Sequence, residues 1–216
     1  MNEKLEISFF DFVKLMASSF PFLAAFYFMR KVIPSSEVAA VVLISFSVYI
    51  IWCFHLLLKS KGFGIGIWFR MKTFGNDLLW SIIVFPFVFG VYLLMVFLTS
   101  KIWSSDIMKA YFTLNTNPFL MVLALGLFFP VAEEVIFRGA VYGYMEKKFS
   151  PEFSMVMTST AFAIVHPLED WMKMFVLGML LNLLYYRRKT LTVPATIHVM
   201  VNLLYLSIMY LYTSKV

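Results

Sequence analysis

The sequence predicts an all-α fold: a polytopic transmembrane helical bundle of about seven spans, six to eight, forming a single integral-membrane domain over residues 1–216. Composition is the first observation. Hydrophobic residues make up 62% of the chain and charged residues 14%, against about 45–50% and about 25% in ordinary soluble proteins. A water-soluble globule cannot cover that much apolar surface. The second observation is a series of charge-free runs, several of which meet or approach the roughly 20 residues that cross a bilayer as helix. The third is that these runs are too long and unbroken for barrel strands, and only helices or closed barrels satisfy the backbone in lipid.

The first run, Leu15–Met29, is 15 residues long and contains Pro21. Before it come Glu3, Lys4, Glu6, Asp11 and Lys14, and no small-residue cleavage site follows, so it reads as a retained anchor rather than a signal peptide. The second run, Val38–Leu58, carries Cys53 and His55. A single cysteine makes no internal disulfide or thiolate metal site, and His55 reads as structural. The loop Lys59–Asp77, with Gly62, Gly64, Gly66 and an aromatic and basic mixture, suits the membrane surface. No strand-and-helix unit follows those glycines, which excludes dinucleotide binding.

Leu78–Ser100 is the third run, and Ala110–Ala132 the fourth. After Glu133-Glu134 the chain turns apolar again from Gly139 to Met145, so a helix restarting after Pro130 is expected to carry both acids into the membrane. Proline is tolerated in a first turn, and a helix N-terminus stabilises carboxylates. Phe153–Leu168 is the fifth run. The sixth, Met174–Tyr186, has only 13 residues, and either extends past a snorkelling lysine or is re-entrant. Thr190–Ser214 is the seventh.

The formal charge of +6 does not indicate nucleic acid, because the basic residues lie in short loops between spans. With seven spans, the N-terminus and the loops around 59–77, 146–152 and 187–189 hold eleven Lys and Arg, and the other side six. The positive-inside rule then places the N-terminus in the cytosol. A bacterial plasma membrane is the expected location.

Polar groups inside hydrocarbon are costly and mark function. On one helix Glu134 and Arg138 are i and i+4 and can pair, while Glu133 points about 100° away. Glu133 lies thirteen residues before Glu146, and His166 thirteen after Phe153, each about 20 Å deep. His198, nine residues after Lys189, is about 14 Å deep. Three antiparallel helices thus bring these groups to one layer, with His198 and Asn202 sharing a helix face. Peptide hydrolysis fits the set: a carboxylate takes a proton from water, one imidazole holds that water or protonates the leaving amine, and the second imidazole and the amide stabilise the oxyanion. The rival chemistry is a zinc site with Glu133, His166 and His198 as ligands and water in the fourth position, although no compact zinc motif is present.

At these residues the chain resembles the CAAX-processing and bacteriocin-processing (CPBP, or Abi) family of intramembrane proteases, which includes the Ras-converting CAAX endoprotease. Glu133-Glu134-Val135-Ile136-Phe137-Arg138 is similar to the family's EExxxR motif, Phe162-Ala163-Ile164-Val165-His166 to FxxxH, and His198-Val199-Met200-Val201-Asn202 to HxxxN. Phe175, Gly178, Tyr185-Tyr186-Arg187-Arg188 and Pro194 also resemble the pattern, and the similarity covers a catalytic core of about 118–203. It implies an endopeptidase in which Glu133 and His166 activate water, His198 and Asn202 hold the oxyanion, and Glu134, Arg138 and Phe162 support them. No metal is required on this reading. Pro167 and Asn182, where a small residue is more usual, depart from the pattern. The implied partners are a peptide or lipopeptide substrate and membrane lipids; oligomeric state is left open. The alternative function is a non-proteolytic immunity factor or scaffold for a bacteriocin-like peptide, and a third is a proton-coupled transporter, since intramembrane Glu and His also form proton relays.

Overall fold

A computed structural model describes residues 36–100 except 65 and 67, residues 117–213, and residues 8, 10, 11, 13, 14 and 17 near the N-terminus. The expected first span, Leu15–Met29, lies outside the described residues. Six helices carry the rest: α1 Ser36–Ser60, α2 Phe74–Ser100, α3 spanning 118–145, α4 Pro151–Ile164, α5 Trp171–Arg188 and α6 Thr192–Thr213. Short 3-10 turns, Met71–Thr73 and Leu168–Asp170, precede α2 and α5, and no strand occurs among the described residues.

Three stretches, Glu37–Ser60, Met71–Thr99 and Phe119–Met145, are long and apolar enough to cross a membrane by length and composition. Their outward faces are apolar, as lipid requires: Ile83 and Phe87 on α2 are each 66% exposed. The chain is an integral membrane protein built as a helical bundle. The fifth expected span differs from expectation. α4 has 14 residues, a rise of about 21 Å against a hydrocarbon core of about 30 Å, and it pairs with α5 as a helical hairpin instead of crossing alone.

Local chemistry explains each boundary. Ser150 caps α4, its Oγ accepting from Phe153 N at 3.3 Å, and Pro151 occupies the first helical position. Pro167 disfavours helical backbone at His166 and ends α4. α5 stops at Lys189, whose φ of 51° puts it in the left-handed region.

α3 corrects one expectation. It does not restart after Pro130 but runs on through it, with π-helical turns over Val122–Phe128 and Val135–Tyr142 flanking the α-helical segment Phe129–Glu134. The wider turn before Pro130 absorbs the lost N–H that would break a regular helix. Glu133 and Glu134 therefore sit in mid-helix, not at a helix N-terminus.

The loop after α1 is more than a surface segment. Trp68 is buried against Gly139 of α3, and its carbonyl accepts from Leu191 N at 2.8 Å and Thr190 Oγ1 at 3.0 Å. One apolar cluster, including Phe54, Trp68, Tyr142 and Leu191, fills this end of the bundle. A second, including Val88, Leu177, Ile197 and Val201, packs α2 against α5 and α6.

Candidate active site

Four elements supply the site: α3, through its α-helical segment and the π-helical turn after it, the end of α4 with the turn after it, the middle of α5, and α6. Glu133 is 6% exposed, His198 2%, and Glu134 and Arg138 are fully buried. The sequence-predicted carboxylate and imidazoles do come together. Glu133 Oε1 lies 3.7 Å from His166 Nε2, and Glu133 Oε2 lies 3.8 Å from His198 Nε2.

His166 reaches this layer from the tip of the α4–α5 hairpin, not from mid-span. Its amide donates to Ala163 O at 3.0 Å, and its carbonyl accepts from Trp171 Nε1 at 2.9 Å. Its Nδ1 lies 2.7 Å from Phe162 O. A carbonyl only accepts, so Nδ1 carries the proton, and the neutral ring turns an Nε2 lone pair towards Glu133. His198 is held the same way by a different partner: its Nδ1 lies 2.8 Å from Glu134 Oε1. Glu134 fixes the ring so that Nε2 faces Glu133.

The expected Glu134–Arg138 pair is present at 2.8 Å. Arg138 does more than neutralise it: its Nη2 donates to Gly178 O at 3.1 Å and its Nε to Asn182 Oδ1 at 3.2 Å. Phe162 is the common wall. Its ring lies 4.8 Å from His166 and 5.7 Å from His198, with the Arg138 guanidinium 4.9 Å from its centroid.

Asn202 shares a face of α6 with His198, as i and i+4 require, but its Nδ2 donates to Leu125 O at 3.0 Å. Leu125 lies in the first π-helical turn of α3, where i→i−4 bonding is interrupted and a carbonyl is open to an outside donor. One N–H of Asn202 thus anchors α6 to α3. His55 stands apart, its ring 6.1 Å from Trp52 on the same helix.

Asn182 belongs to the site although its motif position did not mark it. It is fully buried, and its Nδ2 donates to Met155 O at 3.1 Å and Ser159 Oγ at 2.9 Å. The signal was available: an amide in the charge-free run Met174–Tyr186 carries the same cost in hydrocarbon that singled out Asn202.

No group of three or more His, Cys, Asp or Glu among the described residues is placed to hold a metal ion. The two Nε2-to-carboxylate separations, 3.7 Å and 3.8 Å, exceed the about 3.3 Å between two ligands of one tetrahedral zinc.

Comparison with known proteins converges on the same residues. Residues 115–204 match the family model described as Type II CAAX prenyl endopeptidase Rce1-like. The chain is 32% identical over 84 residues to the protein named "Putative membrane peptidase YdiL" of Bacillus subtilis (strain 168), a match covering 38% of this chain and 34% of that protein, so it spans about a third of its relative's length. No solved structure matches the chain. The matched stretch, residues 115–204, carries Glu133, Glu134, Arg138, Phe162, His166, Asn182, His198 and Asn202, and over that stretch the chain is similar to the CAAX-type membrane proteases of the CPBP family.

Proposed function

We propose that the protein is an endopeptidase that hydrolyses a peptide bond of a membrane-associated or lipid-modified peptide, by metal-free activation of water within a bacterial plasma membrane. One observation carries this reading: the Nε2 edges of two imidazoles close on the two oxygens of one buried carboxylate. The separations of 3.7 Å and 3.8 Å are too long for direct hydrogen bonds, which leaves the carboxylate and both Nε2 edges to meet on a water beside them. Glu133 takes a proton from that water as it attacks the scissile carbonyl, with the His166 Nε2 lone pair orienting it; the proton taken by Glu133 is then passed, by way of the facing His166 Nε2, to the leaving amine.

Oxyanion stabilisation falls to His198 and Asn202. With Nδ1–H committed to Glu134, His198 donates from Nε2 when that nitrogen also carries a proton. Asn202 has a second amide N–H to offer beyond the one given to Leu125.

The test is mass spectrometry of a peptide and lipopeptide library incubated with purified protein, wild type beside Glu133→Gln, each with and without a zinc chelator. New peptide termini from wild type alone, resistant to chelator, are the expected result. Cleavage abolished by chelator and restored by zinc would overturn the metal-free mechanism. No cleavage under any condition would overturn the peptidase reading in favour of an immunity or scaffold role.

A further inference from the structure

Asn182 sits where the family pattern has a small residue, and it is wired into the buried polar groups on three sides. Its Oδ1 accepts from Arg138 Nε at 3.2 Å, and its Nδ2 donates to Met155 O and Ser159 Oγ. Arg138 passes the constraint on through Nη1 to Glu134 Oε1 at 2.8 Å, and that same oxygen meets His198 Nδ1 at 2.8 Å. The chain runs across four helices, from α4 through α5 and α3 to α6, and ends at the ring whose Nε2 faces Glu133.

We infer that Asn182 is a positioning residue: by fixing the Arg138 guanidinium it sets Glu134, and through Glu134 the orientation and tautomer of the His198 ring. The physical reason is the fork of Arg138. A planar guanidinium is located only when its edges are held, and here Glu134, Gly178 O and Asn182 hold them. Without Asn182 the Nε edge is left unpaired in a dry site, which is costly, and the group rotates to recover a partner. Among the described residues Glu134 Oε2 has no hydrogen-bond partner of its own, and Arg138 and His198 locate this carboxylate through Oε1. A small shift of the guanidinium is therefore passed on to the imidazole.

The inference rests on the proposed site chemistry for its consequence, but its test does not depend on catalysis. The chain has 3 histidines, so ¹⁵N-histidine labelling of the purified full-length protein gives a ring spectrum assignable by single substitutions. Glu134→Gln and Asn182→Leu are expected to move the His198 ring signals in the same direction, leaving His166 and His55 in place. Asn182→Asp keeps an acceptor for Arg138 and is expected to restore the wild-type pattern; Ser159→Ala, which removes only a partner of Nδ2, is expected to leave it unchanged. If Asn182→Leu does not fold, Asn182→Ala takes its place in the comparison. His198 signals unmoved by the folded Asn182 variant, or moved equally by Ser159→Ala, would reduce Asn182 to a tie between α4 and α5 and overturn the proposal. Where a cleaved peptide is in hand, Asn182→Leu is expected to lower kcat roughly 10–100-fold at unchanged KM, with Asn182→Asp near wild type. Wild type that cleaves nothing defeats the peptidase reading alone, because the ring spectra still decide the positioning role.

Discussion

In the proposed mechanism the chemistry turns on Glu133, and its environment differs from that of its neighbour. Glu134 is saturated at Oε1 by Arg138 and His198, whereas Glu133 faces two imidazole edges beyond direct hydrogen-bond distance, at 3.7 Å and 3.8 Å. Glu133→Gln, His166→Ala and His198→Ala are each expected to lower the cleavage rate by at least about 100-fold, the lower range for losing a general acid or base, while His55→Ala leaves it unchanged. Progress curves on one peptide substrate check this, and activity persisting in Glu133→Gln would remove the water-activation role. Arg138→Met is expected to cost folding as well as rate, because one partner of a buried pair is then left alone, commonly a loss of about 3–5 kcal/mol. Removing both charges in Glu134→Gln/Arg138→Met should recover much of the folded yield and little of the rate, measured by size-exclusion recovery in detergent beside the cleavage assay. A double variant no better than Arg138→Met would mean that Arg138 is needed for its bonds to Gly178 and Asn182 rather than for its charge. At this scale the sequence was informative, since a charged or amide group in an apolar run declares itself. Asn182 escaped because its role lies in what it touches across helices, and the Nδ1 partners of both histidines are likewise set by tertiary contacts.

The helices themselves were largely legible, from runs of apolar residues bounded by charge, but their irregularities were not. Pro130 was expected to start a helix; instead π-helical turns on both sides carry α3 through it, and one of them exposes the Leu125 carbonyl that Asn202 uses. Backbone hydrogen-bond pattern at that level depends on what packs outside the helix, which residue spacing does not encode. His166 similarly was placed by depth arithmetic at the right layer but on the wrong element, because Pro167 turns the fifth run into the tip of a hairpin. That hairpin is closed by Gly178. A Cβ there would lie 3.1 Å from Ser159 Cβ and 3.2 Å from Ser159 Cα, with Phe162 Cδ1 at 3.3 Å. Backbone cannot yield as a side-chain end can, and small residues are what let membrane helices approach this closely. Gly178→Ala should therefore part α4 from α5 and tilt Phe162, costing about 1–3 kcal/mol. Gly126→Ala meets chiefly the flexible end of Leu203 and should cost less. Thermal unfolding of the two variants in the same detergent gives the order, and the reverse order would mean that the hairpin interface adjusts more readily than the geometry allows.

For the molecule as a whole, the basic loops counted separately in the sequence meet at one end of the bundle. Lys189 pairs with Glu146 at 2.7 Å, Arg188 with the buried Asp77, and the carbonyl of Trp68 binds Thr190 and Leu191. The loops following α1, α3 and α5 are thereby tied together, and Lys61 adds the N-terminal segment by pairing with Asp11 at 2.9 Å. That the N-terminus shares a side with these loops was inferred from charge counting over seven spans; the ion pairs reach the same grouping by direct contact and without any span count. We propose the direction from charge: Lys59, Lys61, Arg70, Lys72, Lys147, Lys148, Arg187, Arg188 and Lys189 all lie at this end, and short basic loops are commonly retained in the cytosol. In a Cys53→Ser background, a cysteine at Ser150, on the loop between α3 and α4, should resist a membrane-impermeant maleimide in intact cells and react once the membrane is permeabilised. A cysteine at Ser60, the last residue of α1 where it meets the following loop, should behave identically, because the two loops are parts of one assembly. Labelling of both in intact cells would invert the orientation and leave the bundle standing; labelling of one without the other would break the assembly itself, and with it the common frame that holds α3 and the α4–α5 hairpin at the depth where Glu133 meets His166.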